Sequence, residues 1–352
     1  MDILLVKLSS LGDVIQTMPV VHDLVQQFPG VQIDWVVEEA FAPLVQRVQG
    51  LRRVIPMAGR RWRKTRFSPA TRAERTAFLS QLQSQPYDAV IDFQGLIKSA
   101  LVARQARLTP GGFRATYANK SEACGYEWPV RFMVDKPVPM ARRIHAVARY
   151  RALAAGALGC AWTGDAAGPP VYGLDTALTS VHPELVEGPF DKLRTNGFEG
   201  PPPNSNTIVF AHGTTRPDNE WPQAHWIALG HKLIAQGCQI ALPQASDAEQ
   251  KLCENIAQAL GPACTVWPRM PLASLMGAMA SCGGVVGVDS GLSHLAVALG
   301  LPHVQIFSQD RAWRAGPVGQ AHQLAVGGAT APTVDMVWQA WLQVQRAAAQ
   351  NA

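Results

Sequence analysis

No stretch of the chain reaches the roughly 18 consecutive apolar residues that a helical membrane span needs. Six cysteines (Cys124, Cys160, Cys238, Cys253, Cys264 and Cys282) are scattered without CxxC or metal-ligand spacing, so they read as reduced core thiols rather than a disulfide or zinc framework. The opening residues, MDILLVKLSSLGD, put apolar side chains before the first lysine and contain no small-residue cleavage site. That is unlike a secretory signal, and a cytoplasmic location is expected. The N-terminal strand and loop lack GxGxxG, which removes the nicotinamide or flavin dinucleotide fingerprint. No DxD-like pair lies in a candidate ligand loop, consistent with metal-independent chemistry. Charged residues are few, at 16%, against 47% hydrophobic ones, which excludes a disordered chain.

At 352 residues the sequence suits two domains, each with its own core. The most informative stretch is VVGVDSGLSHLAVALG, Val285 to Gly300. A β-branched run ends at Asp289, turns through Ser290 and Gly291, and continues at helical spacing through Leu292, Leu295, Ala296 and Leu299. The first amides of such a helix have no internal partners and sit at the positive end of its dipole, which suits a phosphate. His294 falls about one turn further on, near the same helix mouth. Local spacing alone leaves a second reading equally open, in which Asp289 and Ser290 only cap the helix and His294 is a satisfied imidazole.

The first half alternates strands and helices. DILLVKL is a buried strand, followed by SSLGD and a helix from about Asp13 to Gln27. VQIDWVV and YDAVIDFQG are further strands, and this alternation predicts a parallel, doubly wound sheet with ligands at the carboxyl ends of its strands. Asp13 at such an edge is either a general base or a carboxylate that favours the helix dipole and does nothing else. Between those strands lies RRVIPMAGRRWRKTRF, with Arg52, Arg53, Arg60, Arg61, Arg63, Lys64 and Arg66 and no acidic residue. A solvated helix face mixes signs, so this run and the net charge of +5 call for an anionic partner. Trp62 alone interleaves it and no helix-turn-helix, RRM or zinc finger accompanies it, so a polyanionic substrate at a lipid surface is favoured over nucleic acid.

Residues 161–206 read as a linker rich in Gly, Pro and Asn, within which residues 179–198 resemble a translated bacterial interspersed repeat. The first domain therefore spans 1–160. Alternation restarts at TIVFAHG and closes with HVQIFS, which places a second doubly wound domain over 207–332. A C-terminal helix over 333–352 offers Val337, Trp338, Trp341 and Leu342 for packing, with the first domain as one candidate surface. The expected fold class is α/β, two Rossmann-like domains facing a central cleft in the GT-B architecture of nucleotide-sugar glycosyltransferases. That architecture by itself names no reaction.

Seven ordered blocks carry a resemblance: KLSSLGDVIQTMP, DWVVEEAF, RRWRK, YDAVIDFQGLIKSA, HGTTRPDNEWP, LPQASDAEQ and VDSGLSHLAVAL. Together they are similar to the lipopolysaccharide heptosyltransferases from Met1 to about Phe307, the linker apart. DWVVEEAF and RRWRK point to the branch acting first in the pathway. The resemblance implies inverting, metal-independent transfer of L-glycero-D-manno-heptose from ADP-heptose to Kdo of Kdo-lipid A, with no cofactor beyond that donor. It further implies Asp13 as the catalytic carboxylate and Thr214, Thr215, Glu249, Met270, Asp289, Ser290, Gly291 and His294 as donor-site residues. Arg60, Arg63 and Lys64 would bind the acceptor's carboxylates and phosphates. Where the family carries a donor-site lysine, this chain has Asn219. The implied partners are the two substrates and, peripherally, the anionic cytoplasmic face of the inner membrane, with no nucleic acid. The alternatives are a related enzyme with another nucleotide sugar or a later core acceptor, and a catalytically silent membrane-surface binding protein.

Overall fold

Short runs of aliphatic and β-branched residues form the central strands of two sheets, and these strands are buried on both faces, as parallel sheets require. The computed structural model describes residues 1–160, 168–176 and 204–351. They divide into two units: Met1–Leu174 with Trp313–Ala315, and Asp175–Ala312 with Gly316–Ala352.

The first unit holds β1 (Asp2–Val6), β2 (Gln32–Glu38), β3 (Arg53–Met57), β4 (Pro86–Asp92), β5 (Arg107–Tyr117) and β6 (Lys136–Val138). All pair in parallel in the order β3-β2-β1-β4-β5-β6. The chain runs outward from β1 in one direction and from β4 in the other, so the topological switch point, where such sheets bind ligands, lies between β1 and β4. Ile3, Leu4, Leu5 and Val6 are fully buried. The expected single helix from Asp13 to Gln27 is two, Leu11–Thr17 and Pro19–Gln27. Pro19 has no amide to continue the first helix and opens the second instead.

At the amino-terminal edge of this sheet Asp34, fully buried, accepts from Arg52 Nε (2.8 Å), Arg53 Nε (2.6 Å) and the Tyr87 hydroxyl (2.7 Å). Arg52 also reaches Asp2 at 2.6 Å. Two members of the basic run are therefore structural, their carboxylates supplied from distant strands rather than from their own segment. The first unit also extends past the expected boundary at 160. Gln49 donates its amide to Gly173 O at 2.9 Å, Val48 bridges Leu174, and Arg151 donates to Gly168 O at 2.8 Å. Residues 168–174 thus belong to this unit, and the repeat-like segment 179–198 lies outside the described residues.

The second unit holds β7 (Thr207–Ala211), β8 (Gln239–Leu242), β9 (Cys264–Val266), β10 (Gly284–Val288), β11 (His303–Phe307) and β12 (Gln323–Gly327). Their parallel order, β12-β11-β10-β7-β8-β9, repeats that of the first sheet and puts the switch point between β7 and β10. HVQIFS is not the last strand, because the short, half-exposed β12 pairs beyond it. The C-terminal helix Val334–Asn351 belongs to this second unit. Its Val337, Trp341 and Val344 enter the core with Ile208, Phe210 and Val286. Gly284 makes this possible, since a Cβ there would stand 2.5 Å from the Trp341 ring.

Candidate functional site

In the first unit the loop after β1 delivers Asp13 to the switch point. Ser9 in that loop donates its amide to Gln94 Oε1, after β4, at 3.1 Å. Asp13 lies in the first turn of helix Leu11–Thr17, and its two oxygens have different surroundings. Its Oδ2 accepts from Ser10 N at 3.3 Å and Ser10 Oγ at 3.1 Å, a helix-capping arrangement. Its Oδ1 accepts from the Tyr150 hydroxyl at 2.8 Å and lies 3.6 Å from Arg314 Nη2. Burial pushes the Asp13 carboxyl up, but the Lys7 and Arg314 charges and the Tyr150 and Ser10 hydrogen bonds outweigh it and hold the group well below the usual carboxylate range. Asp13 is therefore ionised at any physiological pH.

Oδ1 faces a polar cavity of about 80 Å³, lined by Lys7, Gln94, Cys124, Arg149, Tyr150 and Arg314 among others. Lys7 reaches it from the buried end of β1, donating to Phe93 O (3.2 Å) and to the Tyr150 hydroxyl (3.1 Å). Burial, offset in part by Asp13, pushes the Lys7 ammonium down to about 8. Arg149 stacks on the Tyr117 ring at 3.6 Å, and its buried Nε and Nη2 have no hydrogen-bond partner. Asp92, at the end of β4, accepts from Gln94 N (2.9 Å) and Ser99 Oγ (2.9 Å), and burial pushes it up to about 6. Lys7, Tyr150, Arg149 and Arg314 were missed by the sequence reading. One signal was available for Lys7: a lysine inside the apolar strand DILLVKL is costly to bury unless it has a task.

Helix Gly59–Lys64 carries the remaining basic residues. Glu38, at the end of β2, places its start by accepting from Arg60 N at 3.4 Å, while its own amide donates to Leu8 O at 3.2 Å. The helix therefore lies at the same carboxyl edge as Asp13. Arg61 is engaged by Glu39 (3.0 Å) and Glu74 (2.7 Å), and the Arg60 guanidinium lies 5.7 Å from the Phe41 ring centroid. Neither Arg63 nor Lys64 has a carboxylate partner among the described ion pairs. Trp62 is buried edge-on to Phe78 and donates Nε1 to Glu74 at 2.7 Å, so it offers no stacking face for a base.

In the second unit the donor-site candidates collect at the carboxyl ends of β7 to β10. Helix Gly291–Ala298 follows β10 directly, with Ser290 in extended conformation at its N-cap and making no side-chain capping bond. The buried Ser290 Oγ has no partner, so the capping reading of Ser290 is not met. Asp289 does not cap either. Its Oδ1 lies 3.5 Å from His294 Nε2 and accepts from Gln305 Nε2 at 3.3 Å, while its Oδ2 takes a long contact of 3.4 Å from Asn219 Nδ2. Gly287 lets the helix pack this close, since a Cβ there would meet Ser293 Oγ at 2.4 Å.

Glu249, in the first turn of helix Asp247–Leu260 after β8, accepts from Ala245 N at 2.7 Å. Its other oxygen faces Gly213, at the end of β7, where a Cβ would stand 3.0 Å away. Thr214 accepts from Arg216 N at 3.2 Å, Thr215 is exposed, and Met270 follows β9, half-buried. Arg216 itself is bound to Asp218 through Nε and Nη2, at 3.1 and 2.7 Å. Among the described residues no group of three or more His, Cys, Asp or Glu side chains could hold a metal ion, and no helix is long and apolar enough to cross a membrane.

These features agree with known proteins. The model of glycosyltransferase family 9 (heptosyltransferase) matches residues 75–338. Lipopolysaccharide heptosyltransferase 1 of Escherichia coli K12 is 37% identical over 308 residues, covering 87% of this chain and 88% of the relative. The protein of that name from Pseudomonas aeruginosa is 35% identical over 325 residues, covering 91% and 82%. Among solved structures, E. coli heptosyltransferase WaaC with ADP superposes with a TM-score of 0.78 at 32% identity, both chains covered in full. The same enzyme with ADP-2-deoxy-2-fluoro heptose gives 0.72 over the same extent. The paired six-stranded sheets are those of a GT-B glycosyltransferase, and the chain belongs to glycosyltransferase family 9, the heptosyltransferases.

Proposed function

We propose that the chain transfers L-glycero-D-manno-heptose from ADP-heptose to a Kdo residue of Kdo-lipid A, with inversion and without a metal or cofactor. The observation that carries this reading is the Asp13 carboxylate, ionised and aimed by Tyr150 at the switch point of one unit, on the edge that also bears Arg60, Arg63 and Lys64.

The acceptor hydroxyl attacks the anomeric carbon as the bond to the diphosphate breaks, and its proton passes to Asp13 Oδ1. Base assistance of this kind is typically worth roughly 100- to 10,000-fold. The bond electrons leave with ADP, whose diphosphate would sit at the amides of Gly291 and the next residues. Those amides and the unpartnered Ser290 hydroxyl are fixed in place before charge develops, which is what electrostatic catalysis needs. Glu249 suits a ribose hydroxyl, and Thr214 and Thr215 suit phosphate oxygens. The sugar acid and phosphates of the acceptor match the helix Gly59–Lys64, where Arg63 and Lys64 retain their charge for a ligand. The acceptor being a membrane lipid, the chain works peripherally at the cytoplasmic face of the membrane that carries it.

Incubation with ADP-heptose and Kdo-lipid A, followed by mass analysis of the lipid, tests the reading. A gain of one heptose is expected. Turnover of a different nucleotide sugar with none of ADP-heptose would overturn the donor assignment.

A further inference from the structure

Single exposed hydrophobic side chains are ordinary, but four large ones in two adjoining elements are not. Helix Ile97–Gln105 exposes Ile97 and Leu101, one turn apart on one face, at 40% and 49%. The 3-10 segment Trp128–Phe132 exposes Trp128 and Phe132 at 67% and 66%, their rings 6.1 Å apart and edge to face. Glu127 locks the two elements together, accepting from Ile97 N at 2.5 Å and donating its own amide to Gly95 O at 3.0 Å. Its carboxylate stays at the surface while bound to that amide. The two elements contain Lys98, Arg104 and Arg131 and no acidic residue, and the Arg131 guanidinium lies over the Phe132 ring at 4.5 Å.

Aromatic rings backed by arginine and lysine are the chemistry of a bilayer interface. The rings enter the headgroup layer while the long cationic side chains reach back to lipid phosphates. This face also stands where a lipid substrate needs it. Helix Ile97–Gln105 begins three residues after Gln94, which lines the Asp13 cavity, and Lys98 is close enough to act electrostatically on Glu38, which positions the basic helix Gly59–Lys64. Just beyond that helix, Phe67 stands 73% exposed beneath the Arg66 guanidinium at 4.5 Å, a second pair of the same kind.

We propose that Ile97, Leu101, Trp128 and Phe132 form a membrane-seating face that enters the interfacial layer of an anionic phospholipid bilayer, presenting the Asp13 site to a substrate that stays in the lipid. This rests on the reading that the acceptor is a membrane lipid. The occupant is the bilayer rather than a protein, because the exposed cations Lys98, Arg104 and Arg131 around these apolar side chains match lipid phosphates.

The test uses the full chain and vesicles of phosphatidylethanolamine and phosphatidylglycerol. Sedimentation should show wild type bound, with Trp128→Ser/Phe132→Ser bound at least about tenfold more weakly and its melting temperature unchanged. Transfer to Kdo-lipid A in those vesicles should fall in parallel, and transfer to a fully deacylated, water-soluble acceptor should be kept. Equal sedimentation of the double variant would overturn the proposal. So would a wild-type dimer that the variant converts to monomer without loss of vesicle binding, which would make the face a self-association surface. Absence of heptose transfer to either acceptor by wild type would instead remove the activity reading, while sedimentation still reports on the face.

Discussion

The Tyr150 hydroxyl donates to Asp13 Oδ1 at 2.8 Å across 137 residues of sequence, and accepts from Lys7 Nζ at 3.1 Å. The Asp13 carboxylate is thus oriented by a neutral donor that is itself held by a buried cation. Asp13→Asn should lower kcat by at least about 100-fold while leaving ADP binding near wild type, since the donor-site candidates lie in the other unit. Retained turnover would leave Asp13 only its helix-capping contacts with Ser10.

Tyr150→Phe removes one of the hydrogen bonds that hold the Asp13 carboxyl low. The carboxyl then rises toward the usual range, and the acid limb of kcat/KM should move to higher pH. An unmoved limb with reduced kcat would mean that Tyr150 only fills space.

Lys7 carries a cost in stability. Its folded-state value is about 8 against 10.5 when free, so between those pH values the unfolded chain holds the proton that the folded chain has lost. Stability of the wild type should therefore climb as pH rises through that window. At pH 7 the buried charge costs on the order of 3 kcal/mol, at about 1.4 kcal/mol per pKa unit. Lys7→Met should recover much of this, because Phe93 O keeps a donor in the Tyr117 hydroxyl at 3.1 Å. It should also slow turnover by loosening Tyr150. Guanidinium melts at pH 7 and pH 10 read the first effect. A variant less stable at pH 7 would show that the Lys7 hydrogen bonds outweigh its burial.

The basic helix divides its charges between two tasks. Neutralising Arg60, Arg63 and Lys64 should raise KM for Kdo-lipid A and spare KM for ADP-heptose, an effect that added salt partly reproduces in wild type. Arg61→Gln serves as the contrast. With Glu39 and Glu74 as its partners, it should change thermal stability slightly and acceptor KM little. Equal effects on both substrates would argue against an acceptor site on this helix.

Asn219 is buried beside Asp289 with only a 3.4 Å contact to its carboxylate, and Arg216 is bound to Asp218. A lysine at 219 would bring a full charge toward the leaving diphosphate in place of a neutral amide. Asn219→Lys is expected to raise kcat/KM for ADP-heptose by about tenfold, or roughly 1.4 kcal/mol. An unchanged value for Asn219→Lys, with activity abolished in Arg216→Ala, would show that Arg216 already supplies the charge.

What was legible in the sequence follows from how local each signal is. DILLVKL, TIVFAHG and HVQIFS announce buried strands by their own residues, and alternation with helices then dictates a parallel sheet and its ligand edge. β3, β5, β6 and β12 lie outside the strands legible in the sequence: RVIPM sits within the basic run, KPV and QLAVG are short, RLTPGGFRATY is broken by glycine and polar residues, and only their neighbours make them strands. The basic run was over-read for a related reason. The carboxylates that engage Arg52, Arg53 and Arg61 come from Asp2, Asp34, Glu39 and Glu74, and no window along the chain shows them together. Tyr150 and Arg149 lie in an alanine-rich helix whose pattern gives no hint of chemistry. Asp289 read equally well as a cap, and its contacts with His294 and Gln305 exist only once β10 and β11 are paired.

The buried charges of the first sheet differ from one edge to the other. At the amino edge Asp34 has every partner it needs, whereas at the carboxyl edge Arg149 keeps two N–H groups unspent. In a library of random substitutions, the two edges should therefore fail in different assays. Changes at Asp34 would strip an arginine pair of its counter-charge and appear as lost protein abundance. Changes at Arg149 would relieve an incomplete cluster and leave abundance high while growth that depends on the enzyme falls. Selection for yield alone would then drift the carboxyl edge toward apolar residues, and only selection for product would keep its charges in place.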